Sequence, residues 1–285
     1  MPSRELQVAG RTALVTGAAG GIGLAVAQAL HARGATVGLV DVAPEALDAT
    51  AAGMAGGAAV HAFAADVRDR ERMAAIVDEL QERTGRLDVV VANAGVVPEP
   101  ATLLYGDRAD FDRVLDINLH GVLNTVSPAL RSLIAAGGHA VVVASVAAFT
   151  PTPGGSAYTV SKAAVEALGR SLRLELATHG VSVQVAYFGV VETAMTRRTL
   201  DEDPIGQTLE RLLPGPLRRR VSAVDAAETL VCGIERRASR TLAPRAWVPY
   251  AWLRGVGDHL VDAAFTRDPR LRRVIAALEA RSAAG

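Results

Sequence analysis

Six short apolar runs, alternating with stretches that read as helix until the pattern loosens after Phe188, constrain this chain more than any other feature. The runs are Arg11 to Gly17, Ala35 to Asp41, Ala58 to Ala65, Leu87 to Ala92, His139 to Ser145 and Val181 to Phe188. Near-continuous apolar strands are buried on both faces, and both faces are covered when the connections are helices. The alternation therefore predicts an α/β fold: a doubly wound, Rossmann-type parallel sheet of about seven strands, with right-handed crossovers.

The punctuation between the runs supports this reading. Ile22, Val26, Ala29 and Leu30 share one helix face, and Pro44 opens the next helix. Asp69 is placed to cap a helix that runs to Thr84 and stops at Gly85. A single long helix is expected from Phe111 to Ala136, stopped by Gly137-Gly138, and another from Gly155 to His179, stopped by Gly180. Asp225 to Arg237 reads as a further helix. At 285 residues the chain suits one large domain. Residues 1–240 are expected to form it, with 241–285 as a C-terminal extension. Leu242 to Pro249 reads as a last strand or an irregular edge because of Pro244 and Pro249. Two amphipathic helices then span Trp252 to Ser282, broken near Arg267-Asp268-Pro269.

Formal net charge is zero, so no basic excess invites nucleic acid. One cysteine, Cys232, rules out an internal disulfide and any cysteine-based zinc cluster, and no metal site is expected. It reads as a small buried hydrophobe on a helix. No apolar run reaches the length of a membrane span. The first residues lack the apolar core of a secretory signal, so the expected location is cytoplasmic.

Chemistry gathers where strands end. Gly17, Gly20, Gly21, Ile22 and Gly23 form a glycine-rich turn between a buried strand and a helix, which suits a pyrophosphate held on a helix N-terminus. Asp41 ends the second strand, where a carboxylate accepts ribose hydroxyls and repels a 2′-phosphate. Ala18, Ala19 and Val42 supply no cation nearby, so NAD is expected over NADP. Asn93, Ser145 and the Phe188-Gly189 turn also follow strand ends, the ligand-binding edge of a parallel sheet. Tyr158 and Lys162 stand four apart on one helix face, a spacing at which an ammonium lowers a phenol's pKa. Asn118 falls inside the long helix, an awkward place for an amide without a job or a local partner.

These residues together resemble the classical short-chain dehydrogenase/reductases. The matching pieces are Thr16-Gly17-x-x-x-Gly21-Ile22-Gly23, Asp66-Val67, Asn93-Ala94-Gly95, Asn118, Ser145, Tyr158-x-x-x-Lys162 and Thr193, over about residues 8 to 240. The resemblance implies that Tyr158 is the general acid/base and that Lys162 lowers its pKa and holds the nicotinamide ribose. It implies that Ser145 binds the substrate oxygen and that Asn118 helps hold a water in a proton relay from Lys162. Asp66 and Val67 would contact adenine, Asn93, Ala94 and Gly95 would brace the central strands and line the cofactor cleft, and Val191 and Thr193 would hold the carboxamide. The implied reaction is hydride transfer at nicotinamide, with the chain as a homodimer or homotetramer. Phe188 departs from the family, which has proline there, and is expected to place an aromatic near the nicotinamide pocket.

The stretch from Glu192 to Pro216 occupies the family's substrate-loop position and is expected to be a patchily helical, mobile lid. Met195, Leu200, Ile205, Leu209, Leu212 and Leu213 give it an amphipathic character suited to a hydrophobic alcohol or ketone: steroid, terpenoid or lipid-like. No arginine or histidine cluster flanks Ser145. Trp247, Tyr250, Trp252, Leu253, Val256, Leu260 and Phe265 concentrate apolar bulk in the extension, where core or subunit packing is favoured over contact with a membrane surface. The rival functions are an epimerase or dehydratase on the same scaffold and a non-catalytic NAD-binding scaffold.

Overall fold

The structure, a computed structural model, describes residues 5–54, 56–255 and 267–283. Seven parallel strands form one sheet: β1 (Thr12–Thr16), β2 (Thr36–Asp41), β3 (Val60–Ala64), β4 (Val89–Ala92), β5 (His139–Val143), β6 (Ser182–Phe188) and β9 (Arg240–Ala243). Their order is β3-β2-β1-β4-β5-β6-β9. All neighbours pair in parallel, in registers such as Leu14 with Val90 and Val141 with Gln184. The strands run outward in sequence order in opposite senses from β1 and from β4, and a crevice must open at the C-terminal ends of that pair. Two short strands, β7 (Val191–Glu192) and β8 (Val221–Ser222), pair as a separate parallel sheet.

Each face is sealed by the apolar stripes of its helices. Helices α3 (Arg70–Thr84), α5 (Gly121–Ala136) and α6 (Ser156–Leu176) bury Ile76, Leu80, Val126, Leu133, Val165 and Leu172 on one side. On the other, α1 (Gly21–Ala32), α2 (Pro44–Gly53) and α9 (Ala223–Glu235) bury Val26, Leu30, Leu47, Leu230 and Ile234. The predicted stops hold: the Asp69 carboxylate accepts from Arg72 N, and Gly85, Gly137 and Gly180 all have positive φ. Cys232 lies on α9 and is half-buried rather than fully enclosed.

Three segments differ from the sequence expectations. The single helix over Phe111–Ala136 is interrupted: α4 (Arg108–Leu115) passes through a π-helical turn at Asp116–His120 before α5 begins. The stretch Glu192 to Pro216, expected to be a lid, is more helical than its composition suggests, with a short turn α7 (Ala194–Thr196), a π-helical turn (Arg197–Asp201) and α8 (Pro204–Leu212). The last strand is β9, which crosses residue 240 and ends before Pro244. The stretch Leu242 to Pro249 instead turns through a 3-10 segment (Arg245–Trp247) into a helix, α10, over residues 248–255. Helix α11 (Pro269–Ala283) follows a break at Asp268. Trp247 and Tyr250 pack with Phe149 and Tyr187, whereas Trp252 and Leu253 are exposed. Val256, Leu260 and Phe265 lie outside the described residues.

Candidate active site

The glycine turn sits at the crevice between β1 and β4. Gly17 (φ +67°) and Gly21 (φ +52°) take left-handed backbone, where a β-carbon is disfavoured. Helix α1 starts against that turn so closely that a β-carbon at Gly23 would stand 2.0 Å from the Gly17 carbonyl oxygen. Gly20 caps α1 without a side-chain acceptor, so no side chain competes for the first-turn N–H groups. Asn93, from the end of β4, donates Nδ2–H to Thr16 O at 2.9 Å, and the Thr16 hydroxyl accepts from Asn93 N and Ala94 N. The crevice walls are thereby tied to each other.

Beside it, Asp41 is fixed by two backbone donors: Ala19 N to Oδ2 at 3.0 Å and Ala43 N to Oδ1 at 3.2 Å. Asp41 forms no ion pair among the described residues. Asp66 does: Arg68 grips its carboxylate from Nε and Nη2, and that hydrogen bond holds Asp66 below the usual carboxylate range. Val67 is buried against Gly121, and its carbonyl accepts from Asn124.

The π-helical turn carries Asn118 into the interior, with no exposure. Its amide clamps the chain after β4: Oδ1 accepts from Val96 N at 2.7 Å, and Nδ2 donates to Val96 O and to the Ser161 hydroxyl. Both amide hydrogens are thus committed, and the side chain braces the site. A β-carbon at Gly95 would lie 3.2 Å from Asn118 Oδ1 and 3.3 Å from Lys162 Nζ, so a bare backbone there lets the ammonium approach. Lys162 Nζ donates to Val143 O, the end of β5, at 2.9 Å.

Ser145 follows β5 in extended backbone (φ −151°), its hydroxyl donating to Phe188 O and accepting from Ala147 N. Tyr158 stands on the first turn of α6, with Lys162 Nζ 5.7 Å from its ring centroid. The expected lowering of the Tyr158 pKa is not what the structure shows. Burial raises it, and the Ser145 hydroxyl pulls the other way. Burial also pushes Lys162 down to about 8, because an ammonium loses its water there. The lysine is turned to a main-chain carbonyl, with its ammonium 5.7 Å from the phenol ring centroid. Val191 is buried, and Thr193 caps α7 by a reciprocal pair of bonds with Thr196, beside Gly21.

A family model described as short chain dehydrogenase matches residues 11–204, more than half of the chain. The chain belongs to that family. Within this short-chain dehydrogenase the phenol, hydroxyl and ammonium meet at the C-terminal edge of β5, with the glycine turn on the same sheet edge. Oxidoreductase UcpA of Escherichia coli strain K12 is 36% identical over 229 residues, covering 78% of this chain and 86% of the relative. The cis-4-hydroxycyclohexanecarboxylate dehydrogenase of Sinomonas cyclohexanicum is 39% identical over 186 residues, covering 65% and 75%. A crystal structure of a short-chain dehydrogenase/reductase from Burkholderia phymatum in complex with NAD superposes with a TM-score of 0.77 at 25% identity, covering 93% of this chain and 98% of that one.

Between the lid and the loop after β4, the dehydrogenase opens a cleft of about 800 Å³. Val96, Val97, Pro98 and Pro100 form one wall, and Ala194 and Met195 the other. Arg113, Arg198 and Arg281 also line it. Sequence reading missed these three because they lie far from Ser145 along the chain. Phe188 is 4% exposed and packs into the α1/α9 core, because the alternation along β6 turns it to that face with Ala186.

Proposed function

We propose that this short-chain dehydrogenase interconverts a secondary alcohol and a ketone with NAD, using Tyr158 as the acid/base. The observation that carries the reading is the meeting of Ser145, Tyr158 and Lys162 at one sheet edge beside an uncapped, glycine-lined helix N-terminus. The backbone of Gly17 to Gly23 fits a pyrophosphate, and Asp41 fits an unphosphorylated adenosine ribose. The nicotinamide supplies the hydride acceptor or donor when bound.

The protein's part is positional and protonic. Ser145 offers a hydroxyl to the substrate oxygen, and Tyr158 takes the alcohol's proton or returns it to the ketone. Lys162 releases Val143 O to reach toward that site, where its charge stabilises the phenolate. Asn118 holds the Val96 backbone and the α6 residue Ser161 in register, which keeps the cleft wall fixed relative to Tyr158.

The cleft has a mixed lining, with Glu99, Arg113, Arg198, Glu202, Asp203 and Arg281 beside Val96, Val97, Pro98, Ala194 and Met195, and the apolar part supports a hydrophobic substrate. The similarity to a dehydrogenase named for cis-4-hydroxycyclohexanecarboxylate supports a ring-borne secondary alcohol. A homodimer is proposed through the outward faces of α5 and α6, where Leu123, Ile134, Val160 and Leu174 are exposed. The test is a panel of cyclic and acyclic secondary alcohols and ketones with NAD and NADP, read by absorbance of the reduced cofactor. Turnover of apolar alcohols is expected. Activity on sugars alone would remove the substrate assignment, and absence of net redox on every member would favour an epimerase or dehydratase.

A further inference from the structure

The family match ends at residue 204, and the last helix lies well beyond it. Helix α11 touches both walls of the cleft and a neighbouring loop. Toward the lid, it packs on α8, and the Arg281 guanidinium pairs with Asp203, the N-cap of α8, at 3.0 and 3.2 Å. Toward the loop after β4, the same guanidinium donates to Pro100 O at 2.9 Å. Toward the loop that leads into Tyr158, Leu278 is fully buried, its Cδ1 2.8 Å from where a β-carbon of Gly154 would stand. The two loops are themselves joined by Ala101 N donating to Gly154 O at 3.1 Å. A second bridge crosses the cleft mouth from Arg198 of the lid to Glu99.

We propose that α11 is the outer wall of the substrate cavity and that Arg281 is a specificity-determining residue, because it fixes how far the lid stands from the loop after β4. The proposal rests on reading this cleft as the substrate site. The energetics divide the labour. Val274 and Leu278, 3% and 0% exposed, seat the helix permanently. The Arg281 side chain is 43% exposed and that of Asp203 14%, and an ion pair open to water is weak enough to break and reform. The lid therefore moves about an apolar anchor, with Arg281 as its latch. A latched lid encloses a small apolar alcohol and excludes a bulkier one. An unlatched lid gives up that discrimination.

The variants are Arg281→Ala, Arg281→Lys and Asp203→Asn, the last of which keeps an N-cap while losing the charge. Cyclohexanol and 4-tert-butylcyclohexanol serve as small and bulky probes with NAD. For Arg281→Ala, KM for cyclohexanol rises about five-fold with kcat nearly unchanged, and the kcat/KM ratio moves toward the bulky alcohol by a similar factor. Asp203→Asn reproduces this, the double variant adds nothing further, and Arg281→Lys falls between because it keeps charge without the planar fork. Hydrogen exchange of the α8 amides, measured without substrate, is about ten-fold faster in Arg281→Ala than in the parent. Equal change for both alcohols, or unaltered α8 exchange, overturns the proposal. If the parent enzyme oxidises neither alcohol, the substrate class above is what fails, and α8 exchange still decides whether Arg281 latches the lid.

Discussion

Lys162 shows how one residue can be read from sequence and still surprise. Its spacing from Tyr158 is visible in the chain, but its Val143 partner is not, since that carbonyl is nineteen residues away along the chain. Burial lowers its pKa from the ordinary lysine value of 10.5 to about 8. The unfolded chain therefore holds one more proton than the folded one between those values. Stability from this group rises with pH across that window, by up to about 3 kcal/mol. Urea unfolding of the parent and Lys162→Met from pH 8 to 10.5 checks it: the rise belongs to the parent and is absent from the variant. A parallel slope in both would assign it elsewhere. Asp41 carries the second prediction at this scale. Asn in its place keeps an acceptor for a backbone N–H yet removes the repulsion of a 2′-phosphate. Asp41→Asn is expected to shrink the NAD over NADP preference in kcat/KM by about ten- to a hundred-fold. An unchanged ratio would separate Asp41 from cofactor choice.

At the level of elements, the stops and caps were legible because each is local. Asp69, Gly85, Gly137 and Gly180 act within one helical turn of themselves, and the structure puts each where the sequence placed it. The π-helical turn at Asp116–His120 was not legible, since one extra residue in a helix barely alters an apolar period. The only sequence sign of it was an amide, Asn118, set where an apolar side chain would be expected. Its three hydrogen bonds explain the distortion: the turn is what lets the side chain reach Val96 and Ser161. Asn118→Ala leaves the Val96 N–H and carbonyl without these partners. It should cost about 3 kcal/mol in urea unfolding and lower kcat more than NAD affinity. A variant of parental stability and turnover would deny the clamp any role.

For the whole molecule, the apolar alternation was enough to give a parallel sheet, and the strand order then fixes one crevice at the ends of β1 and β4. What the chain pattern hid is how distant segments close that crevice. Arg281 and Asp203 are 78 residues apart, and Arg198 and Glu99 are 99 apart; neither pair leaves a periodic trace. Phe188 shows a related effect: its burial in the α1/α9 core follows from β6 alternation, not from its neighbours in the motif. The core, the glycine turn and the Tyr158–Lys162 helix come from short-range pattern, while the packing of α11 on α8 and on the loop after β4 comes from contacts only a folded chain makes. The account turns on Tyr158, and Tyr158→Phe tests it with least disturbance, since only the phenol oxygen is removed. Turnover of a secondary alcohol that the parent oxidises should fall by about a thousand-fold or more, with the NAD dissociation constant held within about two-fold. Turnover that survives the substitution would contradict the mechanism.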